Sequence, residues 1–378
     1  MAAEEAERLS IEIIMRVVRT FHPIGQGAFY TEVFFYDDGS RFVMVYDCGT
    51  ETGEKNMEES FDKQIDLFKG LNITDAKIDL LFISHFHADH INGLNRLLEN
   101  TKVKKTVIPM LGESMVKATR AQNYLKYGKR NAEAADKIIQ VLYYGRDKAE
   151  RFGEIIFVGP DRKDAPLPME VVNGMLPRNG KREYSGNPIP GNRFWEYIPF
   201  NSIDFYDSRA RDFEDRLRER FGPNYDLDYL IKNNLHNIKD IYRQVMGSAN
   251  DNLYTLVLVS RPVSGVEIKP DPRLAHCFYF GDFDNRQNSN PWGRLTGIVD
   301  FGKIGMVQVP HHGARENWLP VFADGEPRQY IVSSGTTNGY HHPCYWVISE
   351  IKDKGHNVSV VSEMKGTGMK FEFEVQET

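Results

Sequence analysis

The stretch Leu80-Leu81-Phe82-Ile83-Ser84-His85-Phe86-His87-Ala88-Asp89-His90-Ile91-Asn92-Gly93-Leu94 constrains this 378-residue chain more than any other. Its apolar start reads as a buried strand, and Leu94, Leu97 and Leu98 read as the start of a helix. The histidines and the aspartate therefore fall on the connecting loop. On an extended loop His85 and His87 project to the same side, so two imidazoles can grip one cation. Asp89 and His90, just past the bend, can reach a second cation close by, the arrangement in which two ions act on one substrate. Loop histidines are often merely solvated, but three of them and an aspartate within six residues of a buried strand form the spacing of a metal site.

Cysteine usage narrows the ligand set. Cys48, Cys277 and Cys344 are widely spaced and odd in number, which argues against a disulfide framework, and no CxxC pair is present, which excludes zinc-ribbon chemistry. Any metal must be held by histidine and carboxylate. Apolar runs such as residues 253–259 are strand-sized rather than membrane-spanning. The acidic first residues, Met1 to Glu7, do not form a secretory signal. Together these features predict a cytoplasmic protein without a membrane partner. The net charge of −6 is uneven: residues 101–183 hold 17 Lys and Arg against 10 Asp and Glu, a local +7 that leaves −13 for the remainder. A basic segment on an acidic body suits a surface for an anionic substrate, or equally an ordinary solvated helical face.

Along the chain, residues 11–18 read as a strand. Gly25-Gln26-Gly27 then precedes apolar runs at 31–36 and 41–46 around Asp37-Asp38-Gly39, a β-hairpin that delivers Asp47-Cys48-Gly49-Thr50 to a loop. Phe61, Ile65, Phe68 and Leu71 have helical spacing, and residues 103–109 form the next strand. From 111 to 248 the character changes. Residues 118–142 are helical and 154–159 form one short strand. Residues 166–190, crowded with Pro, Gly and Asn, read as an irregular loop, while 209–241 are charged and mostly helical. We read a helical, partly basic insertion, 111–248, capping a single domain that spans 1–378. In it Lys126, Lys129 and Arg130 interleave with Tyr124, Tyr127, Tyr143, Tyr144 and Arg146. They are candidates for binding nucleic-acid phosphates and bases, though at helical spacing such residues as often pack and solvate a face.

The core then resumes. A strand at 276–280 ends in Gly281-Asp282, one at 305–310 runs into His311-His312-Gly313, and one at 330–335 leads to His341-His342-Pro343. A helix at 345–354 and strands at 358–362 and 369–375 complete the chain. Asp282 is the candidate bridging carboxylate, because one aspartate between two divalent ions offsets their repulsion. Neighbours on an extended chain face opposite ways, so one member of each histidine pair should face the ions, without the sequence deciding which. His236 reads as a surface residue of the charged helical region and His276 as packing.

His85-Phe86-His87-Ala88-Asp89-His90 looks like the HxHxDH signature of the metallo-β-lactamase fold superfamily. The order Gly-Gln-Gly, Asp-Cys-Gly, His-x-His-x-Asp-His, Gly-Asp, Pro-His-His-Gly and Ser-x-Gly…His-Pro resembles the hydrolase domain of bacterial competence DNA-uptake (ComEC-type) proteins, over roughly residues 11–110 and 250–375. That resemblance implies an α/β, four-layer αββα sandwich with the mainly helical insertion set into it. It implies His85, His87 and His311 or His312 at one ion, Asp89, His90 and His342 at the other, and Asp282 between them. Asp47 would orient the metal loop without ligating, and His341 would stand outside the ligand shell. Zinc suits the histidine-rich shell, and manganese is compatible with two carboxylates. The implied reaction is hydrolysis by a metal-activated hydroxide, with Asp89 and Asp282 as the catalytic carboxylates and a phosphodiester of DNA or another nucleic acid as the anionic substrate. Hydrolysis of a small ester, lactone or lactam, and a non-catalytic metal-stabilised binding module, are the alternatives.

Overall fold

A computed structural model describes residues 13–69, 76–145, 149–161, 180–203, 208–247, 252, 254–286 and 290–377. Of the features read above, Met1 to Glu7, residues 11–12, Leu71, Arg146, residues 166–179, residue 248 and residue 253 lie outside the described residues.

In chain order the strands are β1 (Ile13–Phe21), β2 (Gly27–Tyr36), β3 (Arg41–Thr50), β4 (Ala76–Phe82), β5 (Thr101–Pro109), β6 (Glu154–Asp161), β7 (Gly180–Ser185) and β8 (Ile189–Asn192). They continue with β9 (Trp195–Asn201), β10 (Leu256–Pro262), β11 (Val266–Lys269), β12 (Cys277–Tyr279), β13 (Met306–Gln308), β14 (Gln329–Ser333), β15 (Asn357–Val361) and β16 (Met369–Glu377). One sheet has the order β11-β16-β1-β2-β3-β4-β5-β6-β7, and the other β15-β14-β13-β12-β10-β9-β8.

Strand periodicity sorts the side chains into layers. On β3, Met44 and Tyr46 enter the core between the sheets while Val43 and Val45 face the other way. On β10, Leu256 and Leu258 enter the same core while Val257 and Val259 face outward. Helices cover both outer faces. Helices Glu54–Phe68, Glu113–Lys126 and Lys129–Tyr144 bury apolar residues such as Phe61, Ala121 and Ile138 in one core with the outer face of the first sheet, and helices Arg209–Phe221 and Leu235–Met246 stack on Glu113–Lys126, adding Phe213 and Ile238 to that core. Helix Tyr345–Asp353 buries Val347 and Ile351 against the second. The layer order is helix, sheet, sheet, helix, the αββα sandwich.

The 111–248 segment is mainly helical but is woven into the sandwich. Its strand β6 pairs with β5 in the first sheet and β9 pairs with β10 in the second. Residues 180–190, expected as loop, contain β7 and the start of β8, and β9 forms where the sequence carries no strand expectation. The local signals oppose them, since β7 is polar and β9 carries Pro199. Long-range pairing overrides both. The predicted single helix at 118–142 is also two, broken at Tyr127-Gly128, a break that matters at the site.

A polar network ties the sheets together across this apolar core. Fully buried Glu32 accepts from Arg19 Nε at 2.7 Å, Tyr279 Oη at 2.8 Å, Ser260 Oγ at 2.8 Å and Tyr197 Oη at 2.9 Å. Arg19 also donates to the carbonyls of Leu274 and Ala275 at 2.7 and 2.9 Å. Every formal charge is matched, so removing one partner is costly. Glu32→Ala is expected to lower stability by about 3–5 kcal/mol in urea unfolding; a loss under about 1 kcal/mol would contradict this role.

His22 is buried against Phe29, ring centroids 4.2 Å apart, with Nε2 2.9 Å from Thr31 Oγ1. Burial pushes its pKa down to about 3. Below the usual histidine pKa the unfolded chain takes up a proton that the folded chain refuses. His22 therefore removes stability progressively as pH falls from about 6.5 toward 3, and none above that window. His22→Gln should flatten the pH dependence of stability between pH 6 and 4 by about 1.4 kcal/mol per pH unit; an unchanged slope contradicts the assignment.

Candidate metal centre

The chemistry-bearing residues converge because strands of both sheets end at one edge. β4 runs parallel to β3 and β5, and β12, β13 and β14 are mutually parallel. Their carboxyl ends deliver His85 and His87, Asp282, His311 and His312, and the 336–342 loop respectively. Ser84 O accepts from Leu256 N at 2.7 Å, joining the metal loop to the second sheet. The helix after the loop begins at Ala88, earlier than expected, so Asp89 and His90 sit on its first turn.

Two groups form. The ligand atoms of His85, His87 and Asp282 lie within 4.8 Å of one another, as do those of Asp89, His90 and His312, and all six residues are buried. Asp282 faces both. Its Oδ2 lies 3.5 Å from His85 Nε2 and 3.7 Å from His311 Nε2, and its Oδ1 lies 3.1 Å from His90 Nε2 and 3.7 Å from His312 Nε2. His312 Nε2 is also 3.3 Å from Asp89 Oδ2.

His311 and His312 depart from the alternation rule, since both rings face Asp282. The reason is local backbone: their φ values are 46° and 56°, left-handed rather than extended, so neighbouring side chains no longer point apart. His342 lies beside them, its ring 5.5 Å from that of His311 and 6.2 Å from that of His312. His341 is exposed and His236 is 86% exposed, and neither joins the groups.

The residues fit divalent cations. His85 Nε2, His87 Nδ1, His90 Nε2, His312 Nε2 and Asp282 Oδ1 are buried without hydrogen-bond partners, and His90 Nε2 approaches Asp282 Oδ1 without hydrogen-bonding geometry. Such orphaned atoms cost about 1–3 kcal/mol each unless something satisfies them, and a cation satisfies them together. The opposite ring nitrogens of His85, His90 and His312 are tied down. His312 Nδ1 donates to Ser333 O at 2.9 Å, His90 Nδ1 to Asp47 Oδ2 at 2.8 Å, and His85 Nδ1 lies 2.9 Å from Ser84 Oγ. This is how proteins fix a ligating tautomer.

Burial pushes the His85 and His87 pKa values down, which keeps those imidazoles neutral and their lone pairs free. Burial opposes the charge of Asp89 and Asp282, but the facing imidazoles, His90 first, hold both well below the usual carboxylate range. Burial also works against a charge on His90, yet Asp282 and Asp89 raise its pKa well above the usual value.

Sequence motifs acquire physical reasons here. The register of β2 and β3 shifts so that Asp47 is an extra, bulged residue with φ 55°. Bulges re-aim side chains. The Asp47 carboxylate thereby accepts from Ser84 N at 2.7 Å, from Ser84 Oγ at 2.5 Å and from His90. A Cβ on Gly49 would lie 2.5 Å from the His90 carbonyl carbon, so only glycine lets β3 pass behind the loop.

Helix Glu113–Lys126 supplies positioning residues that the sequence did not single out in this role. Asn123 accepts from Ala88 N at 3.0 Å and donates to Phe86 O at 2.7 Å. Tyr127, at the break after that helix, donates its hydroxyl to Asp89 Oδ1 at 2.6 Å, leaving Oδ2 toward His312. Asn252 donates to Asp282 Oδ2 at 3.2 Å. Nothing in local spacing signals these contacts.

Of the predicted anion-binding residues, Lys126 lines a cleft of about 200 Å³ together with Asp89, His311, His312 and His342. Lys129 and Arg130 are 85% and 82% exposed and pair instead with Glu133 at 3.8 Å and Glu54 at 2.6 Å. They open a separate helix, Lys129–Tyr144, and the structure does not bring them to the cleft.

Asp47→Asn should weaken divalent-metal affinity about 10- to 100-fold in chelator competition while leaving the fold intact. An unaltered affinity contradicts its orienting role.

Residues 27–171 match the family model of the metallo-beta-lactamase superfamily, and no curated protein matches the chain. Among solved structures the chain is similar to the metallo-beta-lactamase fold protein YhfI from Bacillus subtilis (10% identity, TM-score 0.37, covering 94% of this chain and 99% of that one). It is also similar to a long form RNase Z from yeast (10%, 0.36, 85% and 36%) and to Zn(2+)-bound PqqB from Methylobacterium extorquens (8%, 0.40, 90% and 86%). By the family match over residues 27–171 and its order of layers, the chain has the metallo-beta-lactamase fold.

Proposed function

We propose that this protein is a dinuclear-metal hydrolase acting on phosphodiesters. The observation that carries the reading is Asp282, one carboxylate whose two oxygens each face a separate set of buried imidazoles. His85, His87 and Asp282 would hold one divalent ion, with His311 beside it, and Asp89, His90 and His312 the other, with His342 alongside. Bound there, zinc or manganese would supply a water made nucleophilic near neutral pH and a positive charge to offset the negative charge that builds on the attacked centre. The chain's own contribution is orientation. Asp47 and Ser333 O fix the tautomers of His90 and His312, Tyr127 turns Asp89, and Asn252 holds Asp282.

The resemblance of the motif order to the competence-type hydrolase domain supports a phosphodiester substrate. Lys126 supports it independently. Its half-buried ammonium lines the cleft 4.9 Å from the Tyr127 ring and 5.7 Å from the Tyr340 ring, and it forms no salt bridge with a described carboxylate. A cation in the field of Asp89 and Glu51 but bonded to neither, beside the candidate metal residues, is placed to take a non-bridging phosphate oxygen. The free cysteines fit a reducing, cytoplasmic setting.

Purified protein loaded with zinc or manganese is expected to hydrolyse a chromogenic phosphodiester. Lys126→Ala should raise KM for it roughly tenfold or more, since a hydrogen bond to a charged group contributes about 1.5–3 kcal/mol, while Lys129→Ala and Arg130→Ala leave it unchanged. Turnover of carboxylic esters, lactones or lactams with none of the diester would replace this reading by the small-ester one, and no turnover of any substrate despite two bound ions would favour a binding module.

A further inference from the structure

We infer that the rim formed by Tyr345, Trp346 and Arg315 is a stacking subsite for a nucleobase attached to the diester. The inference rests on the phosphodiester reading and names the substrate class more narrowly: a diester with a nucleoside on one arm. Tyr345 is 75% exposed and Trp346 63% exposed, the largest exposures of Phe, Tyr and Trp among the described residues. The other tryptophans, Trp195, Trp292 and Trp318, pack within the fold. Two neighbouring exposed aromatic side chains held on a helix offer an apolar surface that a planar ligand can cover.

Its place in the fold ties it to the metal centre. Tyr345 and Trp346 open helix Tyr345–Asp353, three and four residues after His342. The intervening Cys344 donates its N–H to Gly313 O at 2.9 Å, fixing the helix start to the turn that carries His311 and His312. From the next turn, Arg315–Asn317, the Arg315 guanidinium lies 5.8 Å from the centre of the Trp346 ring. Its neighbours Ala314, Glu316 and Asn317 line the cleft. The indole thus lies beside a guanidinium whose two chain neighbours line the cleft, and both are planar groups on which bases stack in a sequence-tolerant way. Three residues span at most roughly 10 Å of chain, so the Tyr345 backbone lies within that distance of the His342 backbone.

The test compares two diesters with one leaving group: the p-nitrophenyl ester of thymidine 5′-monophosphate and methyl p-nitrophenyl phosphate. With metal-loaded full-length protein, Trp346→Ala should raise KM for the thymidine diester about tenfold or more and leave the methyl diester unchanged, while Trp346→Phe, which keeps a stacking face, retains most of the wild-type KM. Thymidine 5′-monophosphate should quench tryptophan fluorescence in the wild type and not in Trp346→Phe. Equal effects on both diesters, or quenching that survives the substitution, overturn the subsite. So does a size-exclusion shift from dimer to monomer in Trp346→Ala without the selective KM change, which would make the rim an interface between copies. If the wild type turns over neither diester, the phosphodiester reading fails, and the quenching result alone decides whether the rim binds a base.

Discussion

Everything at the edge of this sandwich depends on one buried carboxylate having imidazoles on both sides. Asp282 faces His85 and His311 through one oxygen and His90 and His312 through the other. In a low-dielectric interior such acceptors are expensive to leave unmet, and several of these nitrogens have no other partner. Protein groups alone do not complete the cluster. A pair of cations would, and the same pair would make water reactive beside an electrophile.

The fold's work is to bring distant chain segments to that carboxylate without letting them relax. Parallel strands in both sheets end at the same edge, and the Arg19–Glu32 network locks one sheet to the other across an otherwise apolar core. Around the centre, the partners are themselves held: Asp47 by a bulge, Asn123 and Tyr127 by the end of a helix. The 111–248 region is therefore more than a cover. It contributes strands to both sheets and two of the side chains that position the metal loop.

What could be read in the sequence was what local chemistry writes down. A histidine-rich loop after an apolar run, and Asp282, His311 and His342 after later runs, announce themselves because strands end where polar residues begin. Harder to read was anything decided by distant pairing or by unusual backbone. Strands β7 to β9 form despite polar residues and Pro199 because partner strands accept them. Both His311 and His312 face inward because a left-handed turn cancels the alternation that an extended chain would impose. Tyr127 was visible as one of a group of tyrosines among basic residues, but its bond to Asp89 depends on a helix break that its spacing does not reveal. Charge pattern likewise could not separate Lys126, which reaches the cleft, from Lys129 and Arg130, which do not.

The most direct test is anomalous diffraction from crystals grown with zinc or manganese. The account predicts two peaks per chain, one touching His85, His87 and Asp282, the other Asp89, His90 and His312, with Asp282 contacting both. A single ion, ions bound elsewhere, or an empty cluster at saturating metal would contradict it.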